Sequence, residues 1–267
     1  MADQRPVFLS YTAAKRYEKC HYLQYAHRQK ITVHIVDEKP FLAGRAVHGA
    51  FEPWLNSRGT PPSLAERTRS SWTAEETPMV QAGSLRWSTP TERFETYAKA
   101  ITVAHKLEQM IRATNLLSWH LLAEERYSVP LEFGVSIYAN PDIYATVPGM
   151  PVAFVVELKS GVTYDPDQAV WYAATIRAQH RLQGLTVPQF YALPLRPAVA
   201  DGVEAVAITD DQMDAQVERV LTIGRAMRRE EWEPTPGSYC SICEARTTCP
   251  SYASTFGNVQ RGRNTIG

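Results

Sequence analysis

Residues 135–159 read VSIYANPDIYATVPGMPVAFVVELK, and this stretch holds the strongest fold signal in the chain. Two runs rich in β-branched and aromatic residues flank the sequence Pro148-Gly149-Met150-Pro151. β-Branched and aromatic residues favour strands, whereas proline and glycine mark turns. We therefore predict a β-hairpin, with one strand over 135–147 and its partner over 152–159.

The hairpin brings two carboxylates and a lysine together. A turn centred on residues 149–150 places Asp142 directly opposite Glu157, with their Cβ atoms about 5 Å apart. Strand alternation puts Glu157 and Lys159 on one face of the hairpin and Leu158 on the other. Carboxylate oxygens in such a cluster suit Mg²⁺ or Mn²⁺. The alternative interpretation is an exposed hairpin edge that carries an ion pair.

The chain has four cysteines in an uneven pattern. Cys20 stands alone near the N-terminus, whereas Cys240, Cys243 and Cys249 follow the spacing C-x2-C-x5-C. Thiolates in short loops with one distant partner suit a [4Fe-4S] cluster or a structural zinc. Two disulfides are the alternative, but no N-terminal apolar stretch resembles a signal peptide, and stable disulfides are unusual without export. We therefore favour metal ligation and expect a cytoplasmic protein.

Together these features resemble the RecB-like PD-(D/E)XK nucleases with an iron–sulfur cluster. That group includes the AddB nuclease domain and the CRISPR-associated RecB-type exonucleases. Pro141-Asp142 and Glu157-Leu158-Lys159 match the superfamily signature, and Gly44-Arg45-Ala46-Val47-His48 resembles its G-x-x-x-H motif. Gln168-Ala169-Val170-Trp171-Tyr172 resembles the Q-x-x-x-Y motif, and residues 9–20 are similar to the opening helix of the family. The motifs stand in family order over most of the chain.

The resemblance implies a role for each of these residues. His48, Asp142 and Glu157 would bind the divalent metal, which polarises the scissile phosphate and lowers the pKa of a bound water. Lys159 would orient the nucleophile or offset charge in the transition state. The four cysteines would hold a [4Fe-4S] cluster that stabilises the fold without redox chemistry in turnover.

Gln168 and Tyr172 stand four residues apart, so they share one face of a helix. The resemblance implies that both line the active site and contact DNA or its phosphates. Two positions depart from the family pattern. The first acid follows Asn140-Pro141 instead of a glycine-containing turn, and Glu157 stands where many relatives have Asp. Both acids can bind a hard cation, so the expected chemistry is unchanged.

Five further residues are weaker candidates. Trp54, Tyr164 and Trp171 could stack on the bases of a single strand, although core packing is the favoured interpretation for them. Glu124 and Glu125 precede the first predicted core strand. Either of them could face the site, and the sequence does not select between them.

The pattern of elements predicts an α/β fold: a PD-(D/E)XK restriction-endonuclease-like core, with a mixed central sheet flanked by helices and a C-terminal iron–sulfur module. Helices are predicted over 41–55, 115–123, 165–183 and 209–229, with another that starts at Thr89, and further strands over 126–131, 188–195 and 203–208. We expect a single nuclease domain over 1–267, with an N-terminal helix carrying Cys20 in 1–35, a loop insertion over 56–88, a nuclease core over 125–208 and a cluster-binding segment over 236–252.

Charge and composition limit the partners. Lys and Arg total 28, as do Asp and Glu, so no global field attracts nucleic acid and binding depends on local patches. We expect no membrane partner, because no transmembrane segment is present. A homo-oligomer is compatible with the sequence, and unwinding of a duplex would need a helicase, recombinase or CRISPR-adaptation partner.

The expected function is a metal-dependent DNA exonuclease that acts on single-stranded DNA or duplex ends in recombination, repair or processing. Its cofactors would be a [4Fe-4S] cluster and Mg²⁺ or Mn²⁺. One alternative is a DNA-binding adaptor subunit of a recombination or CRISPR-adaptation complex with weak or no nuclease activity. Another is a structural module in which the cysteines hold zinc.

Overall fold

A computed structural model describes residues 6–31, 39–159, 164–199 and 204–252. The chain divides into two compact units. The cysteine unit comprises Met1–Val36, Ser128–Tyr138 and Val217–Gly267, and the sheet unit comprises Asp37–Tyr127 and Ala139–Gln216. Among the described residues, no helix combines the length and the apolar character that crossing a bilayer requires.

The described residues form eight strands and seven α-helices. In chain order these are β1 (Val7–Leu9), α1 (Tyr11–Lys19), α2 (His21–Arg28), α3 (Lys39–Asn56), α4 (Leu64–Gln81), α5 (Pro90–Ala113), β2 (His120–Ala123), β3 (Tyr127–Pro130), β4 (Val135–Ala139), β5 (Ile143–Thr146), β6 (Val152–Leu158), α6 (Pro166–Leu182), β7 (Gln189–Leu195), β8 (Val206–Ile208) and α7 (Asp210–Arg228). Short 3-10 helices cover Leu116–Ser118, Glu132–Gly134 and Ser238–Ile242.

The sheet unit contains a five-stranded sheet in the order β2-β5-β6-β7-β8. The β6–β7 pair is parallel and the other pairs are antiparallel, so the predicted mixed sheet with flanking helices is confirmed. The predicted hairpin register is confirmed as well, because Ile143 pairs with Val156. Val156 and Leu158 pack into a core shared with α3, α4 and α5. Helix α6 packs on β6 and β7.

The first strand of the predicted hairpin is shorter than expected. The predicted strand over 135–147 divides into β4, which pairs with β1 in a second sheet of order β1-β4-β3, and β5, which pairs with β6. Asn140-Pro141 separates the two. Proline has no N–H to donate to a strand ladder, so it ends regular pairing at that point. The single long strand was therefore a wrong prediction.

Residues 56–88 do not form the predicted loop insertion, because α4 occupies most of them. A capping box starts this helix: Ser63 accepts from the backbone N–H of Glu66, whose carboxylate accepts from the N–H of Ser63 at 2.8 Å. Helix α4 packs against both α3 and α5, which also contact each other. Burial of Trp72 against these neighbours explains why a segment rich in Ser, Thr and Pro is helical.

A buried carboxylate links α4 to α5. Glu76 accepts hydrogen bonds from Trp72 Nε1 at 3.0 Å and Trp87 Nε1 at 2.8 Å, and both oxygens pair with the guanidinium of Arg93. The hydrogen bonds from Arg93, followed by those from the two indoles, lower the pKa of Glu76 below its ordinary value of 4.5 despite burial. This carboxylate therefore stabilises the helical layer in its charged form.

Replacement of Glu76 by Ala should lower the free energy of unfolding by about 3 kcal/mol, because the buried Trp72 N–H loses its acceptor. The half-exposed Arg93 adds little to that cost. In the wild type the contribution is complete above about pH 4.5 and is lost as the pH falls through the lowered pKa. Urea unfolding at neutral and acidic pH measures both effects. The exposed Glu95→Ala on α5 is the control, and an equal cost for the two variants would contradict this account.

The predicted helix over 115–123 is also wrong. Asn115, at φ +55°, ends the helical region after α5, and a 3-10 turn over Leu116–Ser118 leads into strand β2. This strand pairs antiparallel with β5, with Leu121 opposite Ala145. Pairing along the sheet edge therefore decides the conformation of a four-residue segment whose local sequence favours no element strongly.

Most of the remaining predicted helices and strands agree well with the structure. Thr89 caps α5 through Glu92 N–H, and Thr209 caps α7 through Gln212 N–H at 3.2 Å. Helices α3 and α6 cover the predicted segments, and Gly184, at φ +68°, follows the end of α6. Strands β3 and β7 are confirmed. Strand β8 begins at Val206, and the predicted start of this strand, at residue 203, lies outside the described residues.

The N-terminal region of the cysteine unit holds two helices instead of the one predicted. Cys20 lies between α1 and α2, in an extended conformation with φ −166° and ψ 120°, so it is not carried inside a helix. Cys20 belongs to a small core, together with Leu23, Ala26 and Ala245. So few apolar side chains give limited hydrophobic stabilisation.

Hydrogen bonds from α1 and α2 reach the C-terminal segment of the same unit. The hydroxyl of Tyr22 donates to Thr248 O at 2.7 Å, and the hydroxyl of Tyr239 donates to Lys19 O at 2.6 Å. His27 Nε2 lies 2.7 Å from a carboxylate oxygen of Glu244. The segment that contains three of the cysteines is therefore held against the first two helices.

Candidate active site

Asp142 and Glu157 meet at the end of the β5–β6 hairpin. Asp142 lies one residue before β5, and its Oδ2 accepts from Leu158 N at 2.6 Å. Both carboxylates are buried, with 7% and 4% of their surface exposed. The hairpin register predicted from sequence is the cause of this proximity.

Three ligand atoms gather beside this pair. His48 on α3, Glu124 after β2 and Asp142 have one ligand atom each within 4.8 Å of the others. His48 Nδ1 is 3.3 Å from Asp142 Oδ1 and 3.9 Å from Glu124 Oε1. One imidazole nitrogen and carboxylate oxygens at this spacing could hold a divalent cation.

The charges around this group are unbalanced towards the negative. Burial alone lowers the pKa of His48, but its contacts with Asp142 and Glu124 outweigh that effect and raise the pKa from 6.5 to about 10. Burial, followed by the charge of Asp142, raises the pKa of Glu157. The clustered carboxylates favour bound protons because their negative charges repel one another, and a metal cation between them would relieve the same repulsion.

Glu157 anchors a chain of polar side chains on the face that α6 covers. Lys159 Nζ donates to Glu157 Oε1 at 2.6 Å and to Gln168 Oε1 at 3.1 Å. Gln168 Nε2 donates to the same Glu157 oxygen at 2.8 Å and to the hydroxyl of Tyr172 at 2.7 Å. Burial, with a further contribution from the charge of Glu157, raises the pKa of Tyr172 and keeps its hydroxyl protonated. The Glu157 Oε2 atom is buried and has no hydrogen-bond partner among the described residues.

The structure therefore brings together all six residues that the sequence selected for the site. His48, Asp142, Glu157, Lys159, Gln168 and Tyr172 all belong to the sheet unit. It adds Glu124, which the sequence analysis left undecided against Glu125. Glu124 sits at φ +51° and its N–H donates to Asp142 O at 3.1 Å. A non-glycine residue in the left-handed region next to a site marks a constrained position.

The aromatic candidates separate into two groups. Trp54 and Trp171 are fully buried, so core packing is confirmed for them. Tyr164 is half-buried and lies just before α6.

The four cysteines surround one pocket in the cysteine unit. All four are free thiols, so the structure contains no disulfide between them. Cys20 Sγ accepts from Thr235 N at 3.4 Å, and Cys240 Sγ accepts from Gly237 N at 3.3 Å. Burial is the main cause of a raised pKa for the Cys243 thiol, and the charges of the other three sulfurs contribute. Backbone N–H donors of this kind favour thiolates that bind a metal or cluster.

One solved structure supports the fold assignment. A candidate exonuclease from Eubacterium rectale gives a TM-score of 0.53 at 12% identity, over 88% of this chain and 86% of that chain. At that identity the match shows similarity of fold alone. The structure of SSO0001 gives a TM-score of 0.33 at 11% identity, over 69% of this chain and 81% of that chain. A comparison with curated proteins found no match.

A family model gives the decisive result. The model of the PD-(D/E)XK nuclease superfamily matches residues 8–250, which is most of the chain. The matched region includes the acid–acid–lysine set and the histidine that face one another in the sheet unit. The chain belongs to the PD-(D/E)XK nuclease superfamily.

Proposed function

We propose that this protein is a metal-dependent DNA exonuclease that cleaves single-stranded DNA or duplex ends. One observation carries the proposal. In a chain of the PD-(D/E)XK nuclease superfamily, the possible metal ligands His48, Glu124 and Asp142 lie beside the Glu157–Lys159 ion pair. A protein that only bound DNA would gain nothing from buried carboxylates, which repel the phosphate backbone.

The residues present fit a divalent cation. Two features support this: the buried Glu157 oxygen without a partner, and the raised pKa values of His48 and Glu157. His48, Glu124, Asp142 and Glu157 would hold the ion, and hard oxygen donors favour Mg²⁺ or Mn²⁺. When bound, the ion supplies polarisation of the scissile phosphate and a more acidic water.

The protein's own side chains would position the reacting groups. Lys159 is held by Glu157 and Gln168, so its ammonium is fixed where negative charge develops on the phosphate. Gln168 is itself fixed by Tyr172 on the next helical turn. Its amide can hold Lys159 in place without adding charge of its own.

Glu124 should contribute directly to cation binding. Its replacement by Gln should weaken Mn²⁺ binding at least about tenfold, because one charged ligand is lost. Isothermal titration with Mn²⁺ measures this effect. Glu125→Gln removes the same charge from the exposed neighbouring position and is the matched control. If the two variants bound Mn²⁺ equally, Glu124 would not be a ligand.

We further propose that the cysteines bind a [4Fe-4S] cluster, as in the RecB-like relatives. The four free thiols face one pocket, which supports a shared ligand. In a [4Fe-4S] cluster each of four thiolates binds a different iron, and this is the form that the resemblance implies. Four thiolates on one tetrahedral zinc are the alternative, and metal analysis of the purified protein decides between them.

Processing of DNA ends in recombination, repair or CRISPR adaptation is the proposed context, with a partner supplying any unwinding. Digestion of a linear and a covalently closed circular form of one single-stranded DNA, with Mn²⁺ and with EDTA, tests the proposal. We expect the linear form to be degraded with Mn²⁺ only and the circle to persist. Cleavage of the circle would contradict an exonuclease, and intact linear DNA would contradict nuclease activity.

A further inference from the structure

A half-buried arginine lies next to the proposed catalytic lysine. Strands β6 and β7 are parallel, with Leu158 opposite Leu195, and Lys159 N donates to Leu195 O at 3.0 Å. Continued by one residue past the ends of both strands, this register would set Arg196 beside Lys159. Paired residues in neighbouring strands leave the sheet on the same face, so Arg196 belongs to the face of Glu157 and Lys159.

Arg196 has no counter-ion among the residues that the structure describes. No ion pair or side-chain hydrogen bond joins its guanidinium to any of the described residues. Lys159, on the same face, is neutralised by Glu157 at 2.6 Å. A half-buried guanidinium that is not occupied by a described carboxylate can donate charge-assisted hydrogen bonds to an anion.

A second unused donor lies nearby. The hydroxyl of Tyr164 is buried and has no hydrogen-bond partner among the described residues. Burial raises its pKa to about 12, the charge of Glu157 adds to the rise, and the charge of Arg196 opposes it. Tyr164 therefore lies within electrostatic reach of both residues and keeps its proton at neutral pH. Buried donors without acceptors are rare, so this hydroxyl is available to an acceptor from outside the described residues.

We propose that Arg196 and Tyr164 form a phosphate-binding subsite beside Lys159 that holds a backbone phosphate of the DNA strand. Arginine binds phosphate through two parallel N–H donors, and a phenol adds a third. The subsite would fix the strand relative to Glu157 and Lys159. Arg196 and Tyr164 are therefore positioning residues and take no part in bond breaking. This inference rests on the proposed function.

Binding without cleavage tests the subsite directly. We would measure the affinity of the full chain for a fluorescein-labelled single-stranded oligonucleotide by anisotropy, in EDTA and at several salt concentrations. Arg196→Ala should weaken binding about tenfold and make the slope of log K against log salt shallower by about 0.7. Arg196→Lys should keep the slope and recover part of the affinity. Tyr164→Phe should weaken binding about threefold and leave the slope unchanged.

Arg181→Ala removes an exposed charge from the last turn of α6 and is the matched control. It should leave both affinity and slope near the wild-type values. If Arg196→Ala bound DNA with wild-type affinity and slope, or lost no more than Arg181→Ala, the subsite would be wrong. A melting temperature equal to that of the wild type shows that the variant is folded. The charge-keeping Arg196→Lys, judged by the same slope, decides the matter if the alanine variant is unstable.

Cleavage assays separate this inference from the proposed function. In Mn²⁺, Arg196→Ala should raise KM about tenfold with little change in kcat, because the interaction is lost equally in the ground and transition states. The subsite alone would be overturned if the wild type degraded DNA and Arg196→Ala kept the wild-type KM and salt slope. The proposed nuclease activity alone would be overturned if the wild type bound DNA with the predicted dependence on Arg196 but never cleaved it.

Discussion

Replacement of Asp142 by Asn should reduce the rate of DNA cleavage at least about a hundredfold while the protein stays folded. Asn has nearly the same shape as Asp, and its side-chain oxygen can still accept from Leu158 N, so the hairpin end is preserved. What disappears is the negative charge beside His48, at 3.3 Å, and with it a hard ligand for the cation. Single-turnover digestion of end-labelled DNA in Mn²⁺, with melting temperature as the folding check, measures the effect.

An exposed acid on another element provides the control for Asp142. Asp211 lies in the first turn of α7 and is solvent-exposed. Asp211→Asn removes the same charge, so its cleavage rate should stay within about twofold of the wild type. Equal cleavage by Asp142→Asn and the wild type would remove Asp142 from the active site.

Replacement of Cys243 by Ser should release the cluster and destabilise the cysteine unit. Among the described residues, the core around Cys20 has four buried side chains, so apolar packing contributes little to holding the C-terminal segment. Ligation to one cluster would join this segment to the α1–α2 junction. Loss of a structural metal site costs at least about 3 kcal/mol, or roughly 6–12 °C in melting temperature for a chain of this size. Iron content should fall from about four atoms per chain towards zero.

Iron analysis, visible absorbance and thermal melting after anaerobic purification check this prediction. Ser241→Ala, an exposed position in the same segment, should keep both iron and stability. An iron-free Cys243→Ser protein that stayed soluble and cleaved DNA at the wild-type rate would contradict a stabilising cluster. A colourless wild-type protein with one zinc per chain would show that the cysteines form a zinc site and not an iron–sulfur cluster.

The hairpin and its two acids could be predicted because local rules decide them. Period-two alternation and one Pro-Gly turn fix which residues of β5 and β6 face each other, and that register brings Asp142 to Glu157. The helix-capping signals at Thr89 and Thr209 act over three residues, so they too are readable from sequence. Even the break at Pro141 had a signal, since proline cannot donate to a strand ladder.

Tertiary contacts decided the features that the sequence analysis missed. Strand β2 has no alternating pattern and forms because the β5 edge accepts it, so Glu124 could not be set beside Asp142 without knowledge of that pairing. Helix α4 lies in a segment rich in turn-forming residues. Its capping box at Ser63 and Glu66 was a readable signal, but the Glu76 network that fixes it depends on Arg93 of another helix.

The most direct test compares Mn²⁺-dependent DNA digestion by the wild type and by Glu157→Gln, purified anaerobically in parallel. Gln is isosteric with Glu but removes the charge that Lys159 and the cation would share. We predict that the wild type releases nucleotides from end-labelled DNA and that Glu157→Gln does so at least about a hundredfold more slowly, at the same melting temperature. Equal cleavage by both proteins, or none by either with the cluster intact, would contradict a nuclease centred on this site.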